Sequence, residues 1–446
     1  MNEKEEFPGY KGKVLKALKR VEAEIGDQIR VTKKDQVYEG LLIPRSEYGD
    51  QEHIIVKLNT GYNVGIRITP QTKIEKIGKG AKPSFAPPPS PEKNPELPRV
   101  VIISTGGTIA SRVDYRTGAV RPALKAEELY SVVPELADIA QIDAQILFSL
   151  YSENITPHHW TQMAQAVAHH ISRGVEGMVI AHGTDTMGYT AAALSFALQS
   201  LPVPVVLVGS QRSADRPSSD AATNLIGAVT AAGKAPFAEV CLAMHETISD
   251  QSIILHRGTQ ARKCHTSRRD AFQSVNDTPL AKVERKKVKM LTENYTKRDQ
   301  KREPKVEPAF EERVALVKFY PGMNSKIIDW YLEKGYKGLI LEGTGLGHIS
   351  SSSFEPIKNA IQQGVVVGMT SQCLWGRVNM NVYNQGRDLL SLGVISLEDM
   401  IPETAVVKLM WALGQAERAA EAKKLLTKNI AGEFTPRSLH QKRWRD

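Results

Sequence analysis

Two threonines flank a glycine pair in the segment Ser104–Ser111, which reads Ser-Thr-Gly-Gly-Thr-Ile-Ala-Ser. Glycines let the backbone turn sharply and approach a ligand closely, so Thr105 and Thr108 would present hydroxyl groups at such a turn. Three interpretations are open for this motif: a phosphate loop, a threonine nucleophile for acyl transfer, or a tight turn with capping hydroxyls. The phosphate loop is the weakest, because the glycine spacing of the known phosphate-binding fingerprints is absent.

The second motif is His182-Gly-Thr-Asp-Thr-Met187, in which a carboxylate lies between two hydroxyl side chains. Thr184 or Asp185 can cap a helix that begins near Met187, and the motif taken alone favours that structural role. His182 has no histidine or carboxylate at ligand spacing beside it. We therefore expect it to be a packed residue rather than a metal ligand.

The third motif, Arg262-Lys-Cys-His-Thr-Ser267, is a polar stretch in which Lys263 has two possible roles. A lysine in a basic run is usually a solvated charge. A lysine beside an aspartate in a cleft can instead be held near neutrality by desolvation and by its neighbours, and can then act as a base. The motif alone leaves both roles open.

Buried strands are the elements that must position the first two motifs. From Arg99 onward the pattern alternates strand and helix, and several apolar runs lack the alternation of a half-exposed strand. These runs are typical of strands buried on both faces of a parallel sheet: Val100–Ser104, Gln145–Leu150, Gly177–Ala181, Val203–Gly209 and Glu239–Met244. The first two motifs directly follow such strands, and ligands bind at these strand ends in open α/β sheets.

The helices predict a second unit of the same kind. Thr156 can cap a helix that starts at Pro157, and its apolar face comprises Trp160, Met163, Ala164, Val167 and Ile171. Farther along, the predicted strands are Val314–Phe319, Gly338–Glu342 and Val365–Met369, and the predicted helices are Ser325–Gly335, Ser353–Gln363 and Pro402–Gln415. Two α/β domains with parallel-sheet cores are therefore expected.

The leading residues have a different pattern. Short β-branched runs separated by turn residues predict a small all-β, barrel-like module over residues 1–80. Seven prolines make residues 81–98 a semi-extended linker. We place the larger α/β domain at 99–292, a charged and exposed connection at 293–312, the smaller α/β domain at 313–435 and a basic tail at 436–446.

Composition limits the function classes. The 446 residues are 41% hydrophobic, which is ordinary for a globular protein. The net charge of +9 suggests a polyanionic partner. The basic excess lies in the leading module, the connection and the tail. Three separated cysteines argue against a disulfide framework, and no apolar run approaches the length of a membrane span. We expect a soluble, cytoplasmic protein.

Together the three motifs resemble the L-asparaginase/glutaminase family in order and separation. The resemblance runs from Val100 to about Gln415 and includes Gly338–Ile349 and Thr370–Gly376. It implies a two-domain asparaginase-like fold, which here follows the small all-β barrel-like domain.

The resemblance also implies the roles of individual residues. Thr108 would be the nucleophile, and Asp185 would orient Lys263 so that it activates a hydroxyl or water beside Thr184. The expected substrate-binding residues are Ser152, Glu153, Gly107 and Gly183. The family's loop tyrosine aligns with Ala119. Either Tyr115 replaces it, or activity depends on something outside this chain that orders the loop.

The leading module contains the segments Gly26–Thr32, Tyr38–Pro44 and Val56–Asn63. With these segments it resembles the N-terminal domain of the amidase subunits of archaeal glutamyl-tRNA(Gln) amidotransferases. That resemblance implies a GatE-type partner subunit in a heterotetramer of two of each subunit, with a homodimer through the asparaginase-like body. The partner would bind ATP and Mg²⁺ and amidate Glu-tRNA(Gln) with ammonia released here from Gln or Asn. No cofactor is expected in this subunit.

Two other functions stay open. A free-standing L-asparaginase with an accessory N-terminal domain would share the same site. A non-catalytic scaffold or RNA-binding module would have no need of the intact Thr108, Thr184, Asp185 and Lys263. For the leading module we favour protein contact over RNA binding, because it lacks a stacking platform of exposed aromatic residues.

Overall fold

The structure is a computed structural model of the full chain. It describes residues 7, 9–45, 50–58, 63–79, 94–107, 109, 111–113, 120–122, 129–130, 133–212 and 219–438. Across these ranges every helix is too short or too polar to cross a lipid bilayer.

The leading module is a five-stranded antiparallel sheet with a helix packed on it. The elements are α1 (Gly12–Arg20), β1 (Gln28–Lys33), β2 (Gln36–Leu42), β3 (His53–Leu58), β4 (Asn63–Arg67) and β5 (Thr72–Gly78). Their spatial order is β4-β3-β2-β1-β5, and within the described residues β4 and β5 do not pair, so the sheet is open. The β-rich module is confirmed. Helix α1 was not predicted, because Val14 and Leu18 alone contribute its buried face and so give a short signal.

The body begins with a large mixed sheet. The strands in chain order are β6 (Arg99–Gly106), β7 (Ser111–Val113), β8 (Val120–Pro122), β9 (Gln141–Leu150), β10 (Gly177–Ala181), β11 (Leu198–Gln199), β12 (Val205–Val208), β13 (Val240–His245), β14 (Ser252–Arg257), β15 (Ala261–Lys263), β16 (Phe272–Ser274), β17 (Ala281–Glu284), β18 (Lys287–Met290) and β19 (Lys305–Val306). Over the described part of the chain, eight of them form one sheet in the order β18-β17-β14-β13-β12-β10-β6-β9. The segment from β13 to β9 is parallel, as predicted, whereas β14, β17 and β18 extend it antiparallel.

Helices cover both faces of this sheet. They are α2 (Pro157–Ser172), α3 (Met187–Ala197) and α4 (Ala221–Lys234). Val101 and Ile103 of β6 pack with α2 and α3, and the alternate residues Val100 and Ile102 pack with α4. Burial on both faces explains why the strands read as continuous apolar runs.

The smaller domain is a parallel sheet of β20 (Val314–Lys318), β21 (Gly338–Gly343), β22 (Val366–Ser371) and β23 (Ile395–Ser396). Its helices are α5 (Lys326–Glu333), α6 (Phe354–Gln362), α7 (Asn384–Leu392), α8 (Pro402–Gln415) and α9 (Ala419–Thr427). Helix α8 joins the two domains, because Trp411 stacks on Phe196 of α3 with ring centroids 5.8 Å apart. The hydrophobic core therefore continues from one domain into the other.

The connection at 293–312 is exposed, but it is bound to the larger domain and, towards its end, also to α8 of the smaller domain. β19 pairs with β11, and Arg298 donates hydrogen bonds to the carbonyls of Glu176 and Gly233. Phe310 packs edge-on against Trp160, with ring centroids 5.5 Å apart. The predicted charged connection is thus held in place, because its polar side chains bind backbone carbonyls. The composition of the segment gives no indication of these contacts.

Candidate active site

The first two motifs meet where two neighbouring strands end. β6 and β10 are adjacent and parallel, with Ser104 opposite Ala181. Thr105 donates a 3.0 Å hydrogen bond from its Oγ1 to the carbonyl of Ala181. Gly107 follows with φ of +75°, and a Cβ there would lie 3.0 Å from the backbone nitrogen of Gly183. Glycine is therefore required at 107, and it brings the two motifs into backbone contact.

Lys263 joins the third motif to the second. Its Nζ donates hydrogen bonds to Oγ1 of Thr184 at 2.9 Å and to Oδ1 of Asp185 at 2.6 Å. The side chain of Lys263 is 15% exposed and that of Asp185 is 69% exposed, so the pair extends from the interior to solvent. Because the Thr184 hydroxyl accepts from the lysine, its own proton is available to another acceptor in the site.

Ser152 lies on the other side of the Gly183 backbone. It is buried at the start of a 3₁₀ turn, Ser152–Asn154, that follows β9. A Cβ on Gly183 would be 2.8 Å from Cβ of Ser152, and Thr186 Oγ1 donates to the Ser152 carbonyl at 2.6 Å. The structure thus brings Ser152, Gly183 and Gly107 together at the carboxyl ends of the parallel strands. Glu153, the next residue after Ser152, is exposed.

His182 is a packed residue, as its sequence context predicts. Its Nδ1 is 2.7 Å from the carbonyl of Gly183, and its Nε2 is 3.0 Å from Oγ1 of Thr190. The Thr190 hydroxyl accepts from Trp160 Nε1 at 3.1 Å, and its own proton is directed to His182 Nε2. Burial lowers the pKa of His182 from 6.5 to about 4, so the ring is neutral, with Nδ1–H donating and Nε2 accepting.

Thr108 and Tyr115 lie outside the described residues, as does Ala119. Thr108 is the next residue in the chain after Gly107, whose backbone contacts Gly183. The roles that the resemblance gives to Thr108 and Tyr115 remain predictions.

A polar network beside the site was not predicted. Asp220 accepts hydrogen bonds from the backbone nitrogens of the loop after β12 and from the side chain of Asn224. His245 is buried between Oδ1 of Asn224 at 2.6 Å and Oδ1 of Asp250 at 3.0 Å. Asp250 also binds Arg269, and its pKa is lowered chiefly by the hydrogen bond from His245. The sequence gives no signal for this network, because its members lie in four separate segments.

The arrangement is suited to acyl transfer from an amide. It combines hydroxyl groups, a lysine held by a carboxylate, and backbone N–H groups near Gly107 and Gly183. These groups lie at the carboxyl ends of the parallel strands. The site and the two-domain fold together define an asparaginase-type amidase class.

Comparison with known proteins supports this class. Residues 99–296 match the family model "Asparaginase, N-terminal", and residues 313–426 match "Glutaminase/Asparaginase C-terminal domain". The thermostable L-asparaginase of Thermococcus kodakarensis aligns with a TM-score of 0.67 and 33% identity, covering 76% of this chain and 99% of that chain. L-asparaginase I of Vibrio cholerae gives 0.66 and 31%, with the same coverages.

The leading module distinguishes this chain from those enzymes. Residues 23–77 match the family model "GatD N-terminal domain". The D subunit of glutamyl-tRNA(Gln) amidotransferase from Methanopyrus kandleri is 52% identical over 434 residues, covering 95% of this chain and 94% of that protein. The protein of the same name from Pyrococcus furiosus is 52% identical over 430 residues, covering 95% and 98%. The chain belongs to the family of glutamyl-tRNA(Gln) amidotransferase D subunits.

Proposed function

We propose that this chain is the glutaminase/asparaginase-type amidase subunit of a tRNA-dependent glutamyl-tRNA(Gln) amidotransferase. It releases ammonia from Gln or Asn for a second subunit that converts Glu-tRNA(Gln) to Gln-tRNA(Gln). The observation that carries the amidase activity is the contact of Lys263 with Thr184 and Asp185 beside Gly107. Full-length similarity to D subunits supports the tRNA-dependent setting.

In this proposal Thr108 is the nucleophile. Its Oγ forms a bond to the side-chain amide carbon of the substrate, and its proton passes to the cluster of Lys263, Thr184 and Asp185. Backbone N–H groups near Gly107 and Gly183 stabilise the negative charge on the carbonyl oxygen in the tetrahedral intermediate.

The same cluster delivers a proton to the departing nitrogen. The carbon–nitrogen bond breaks and ammonia leaves, which yields an acyl ester on Thr108. Water then attacks the ester, the acid product leaves, and the threonine hydroxyl is restored. Ser152 and Glu153 hold the α-carboxylate and ammonium groups of the substrate. Ser152 lies against the Gly183 backbone, and Glu153 is the next residue in the chain and is exposed.

The remaining chemistry belongs to the partner. A GatE-type subunit binds ATP and Mg²⁺, activates the tRNA-bound glutamate and receives the ammonia, in an assembly of two copies of each subunit. This chain forms a homodimer through its asparaginase-like body and needs no cofactor of its own. The complex acts in the cytoplasm.

Substitution of the nucleophile and the lysine tests the amidase activity. Thr108→Ala and Lys263→Leu each lower glutamine or asparagine hydrolysis by several orders of magnitude, while circular dichroism stays that of the wild type. Lys287→Leu, on the exposed edge strand β18, is the matched control and keeps wild-type turnover. Near-wild-type turnover in either site variant would contradict the assignment.

A free-standing L-asparaginase is the second candidate, favoured by the similarity to L-asparaginases that cover the body alone. Residues 23–77 have no place in that function, because those enzymes align with 76% of this chain. Co-purification with a large tRNA-binding subunit selects the amidotransferase. Full asparaginase activity of the isolated chain that tRNA and partner do not alter selects the alternative.

A further inference from the structure

The strand that carries Lys263 is too short to fix its own position. β15 has three residues and, in the described part of the chain, pairs with the three-residue β16 alone. A two-stranded ribbon of this size is marginally stable at best in water. Lys263 nevertheless keeps its Nζ 2.6 Å from Asp185. Contacts outside the ribbon must therefore hold it.

The smaller domain supplies a contact on the opposite face of the ribbon. Adjacent residues of a strand point to opposite faces, so Arg262 points away from the side where Lys263 meets Thr184. Nε of Arg262 lies 3.1 Å from Oε1 of Glu403, in the first turn of α8. The two side chains are 23% and 16% exposed, so solvent screens this pair only partly.

This ion pair rests on one charged contact. Nη1 of Arg262 and Oε2 of Glu403 are buried, and neither has a hydrogen-bond partner among the described residues. Burial raises the pKa of Glu403, and the nearby Arg262 charge opposes that rise. Loss of either charge would leave the other one buried without compensation, which is costly.

Flanking hydrogen bonds attach both ends of the ribbon to the same domain. Before β15, the carbonyl of Thr259 accepts from Oγ1 of Thr404 at 2.7 Å. After β16, Nδ2 of Asn276 donates to the carbonyls of Gly376 and Asp399 at 3.0 and 2.8 Å. The Gly376 nitrogen donates back to Oδ1 of Asn276 at 2.8 Å. The ribbon is thus bound to the smaller domain at its start, its middle and its end.

We infer that Arg262 and Glu403 are positioning residues through which the smaller domain sets the place of Lys263 in the active site. The ribbon transmits the position of α8 to the lysine, because Arg262 and Lys263 are neighbours on one strand. The inference rests on the proposed amidase function. It gives the first turn of α8 a role in amide hydrolysis. The sequence does not indicate this role, because α8 lies far along the chain from the three motifs.

The test is a double-mutant cycle of Glu403→Gln and Arg262→Gln in the full chain. For each variant, kcat and KM are measured for glutamine hydrolysis, and the thermal midpoint is measured for unfolding. Displacement of a catalytic group by about 1 Å costs on the order of a hundredfold in rate. We expect each single variant to lower kcat by about ten- to a hundredfold and to change KM by less than about threefold. The double variant is no slower than the slower single one, because both act through one contact.

A conservative variant and a matched control separate positioning from folding. Arg262→Lys keeps the charge and recovers most of the kcat. Glu398→Gln removes a carboxylate of the same domain, paired with Arg377 at 3.3 Å, and leaves kcat unchanged. Amide hydrogen exchange of residues 261–274 reports on the ribbon without activity, and we expect it to rise in Glu403→Gln.

Wild-type kcat in both single variants would overturn the inference, as would multiplicative effects in the double variant or unchanged hydrogen exchange in the ribbon. A fall in the thermal midpoint with kcat preserved would also overturn it, since the pair would then serve stability alone. Failure of the proposed function has a different result: the wild-type protein would show no amide hydrolysis that depends on Thr108.

Discussion

Neutral His182 makes the stability of the fold sensitive to acid. The ring is 1% exposed, and its pKa is lowered by burial from 6.5 to about 4. The folded protein therefore binds this proton less readily than the unfolded chain. The contribution to stability is complete above pH 6.5 and is lost progressively as the pH falls from 6.5 towards 4. The full loss is roughly 3 kcal/mol, of which about 2 kcal/mol is lost by pH 5.

The assay is urea unfolding at pH 7.5 and pH 5.0 for the wild type and His182→Gln. Gln does not titrate, so we expect the wild type to lose about 2 kcal/mol more than the variant between the two pH values. The exposed His158→Gln serves as the control and keeps the wild-type pH dependence. Equal losses in the wild type and His182→Gln would refute the reasoning. An imidazole NMR titration of folded His182 with a midpoint above pH 6 would also refute it.

Three further predictions concern the buried pair of the C-terminal segment and the site itself. Lys408 and Glu433 are both 0% exposed and 2.5 Å apart. We expect Glu433→Gln to lower the free energy of unfolding by about 3–5 kcal/mol, and adding Lys408→Met to recover much of the loss. Wild-type stability of the single variant in chemical unfolding would contradict this. Gly183→Ala pushes its new Cβ against Ser152 and raises KM for glutamine more than it lowers kcat, and an unchanged KM would show that the contact does not shape substrate binding. Asp185→Asn removes the charge that holds Lys263 and lowers kcat roughly a hundredfold, so undiminished kcat would exclude that role.

The parallel strands of the large sheet were predicted because burial on both faces leaves a plain apolar run in the sequence of most of them. Gly177–Ala181 has the predicted bounds, and Val100–Ser104 lies within the observed β6. Helix α2 was predicted in the same way, since its five-residue apolar face is the face that is buried. The antiparallel extension through β14, β17 and β18 was missed. Short half-exposed strands such as Lys287–Met290 resemble a charged loop, whereas Ser252–Arg257 was not predicted although all of its residues are buried.

Contacts between distant segments were harder to predict from the sequence. Lys263 and Asp185 are 78 residues apart, and no spacing rule connects them. Their pairing was expected from the family resemblance alone. The contacts of Arg262 with Glu403 and of His245 with Asn224 had no such guide, because they depend on how separate elements of the fold pack. Polar groups of this kind are located by the three-dimensional fold and leave no periodic pattern in the sequence.

The most direct test of the proposed function is the glutaminase rate of this chain, measured alone, with its GatE-type partner, and with partner and Glu-tRNA(Gln). The account predicts that partner and charged tRNA together stimulate ammonia release, and that Thr108→Ala abolishes release under all three conditions. A tRNA-independent rate in the complex would contradict the tRNA-dependent function. Full activity of Thr108→Ala would contradict the amidase mechanism itself.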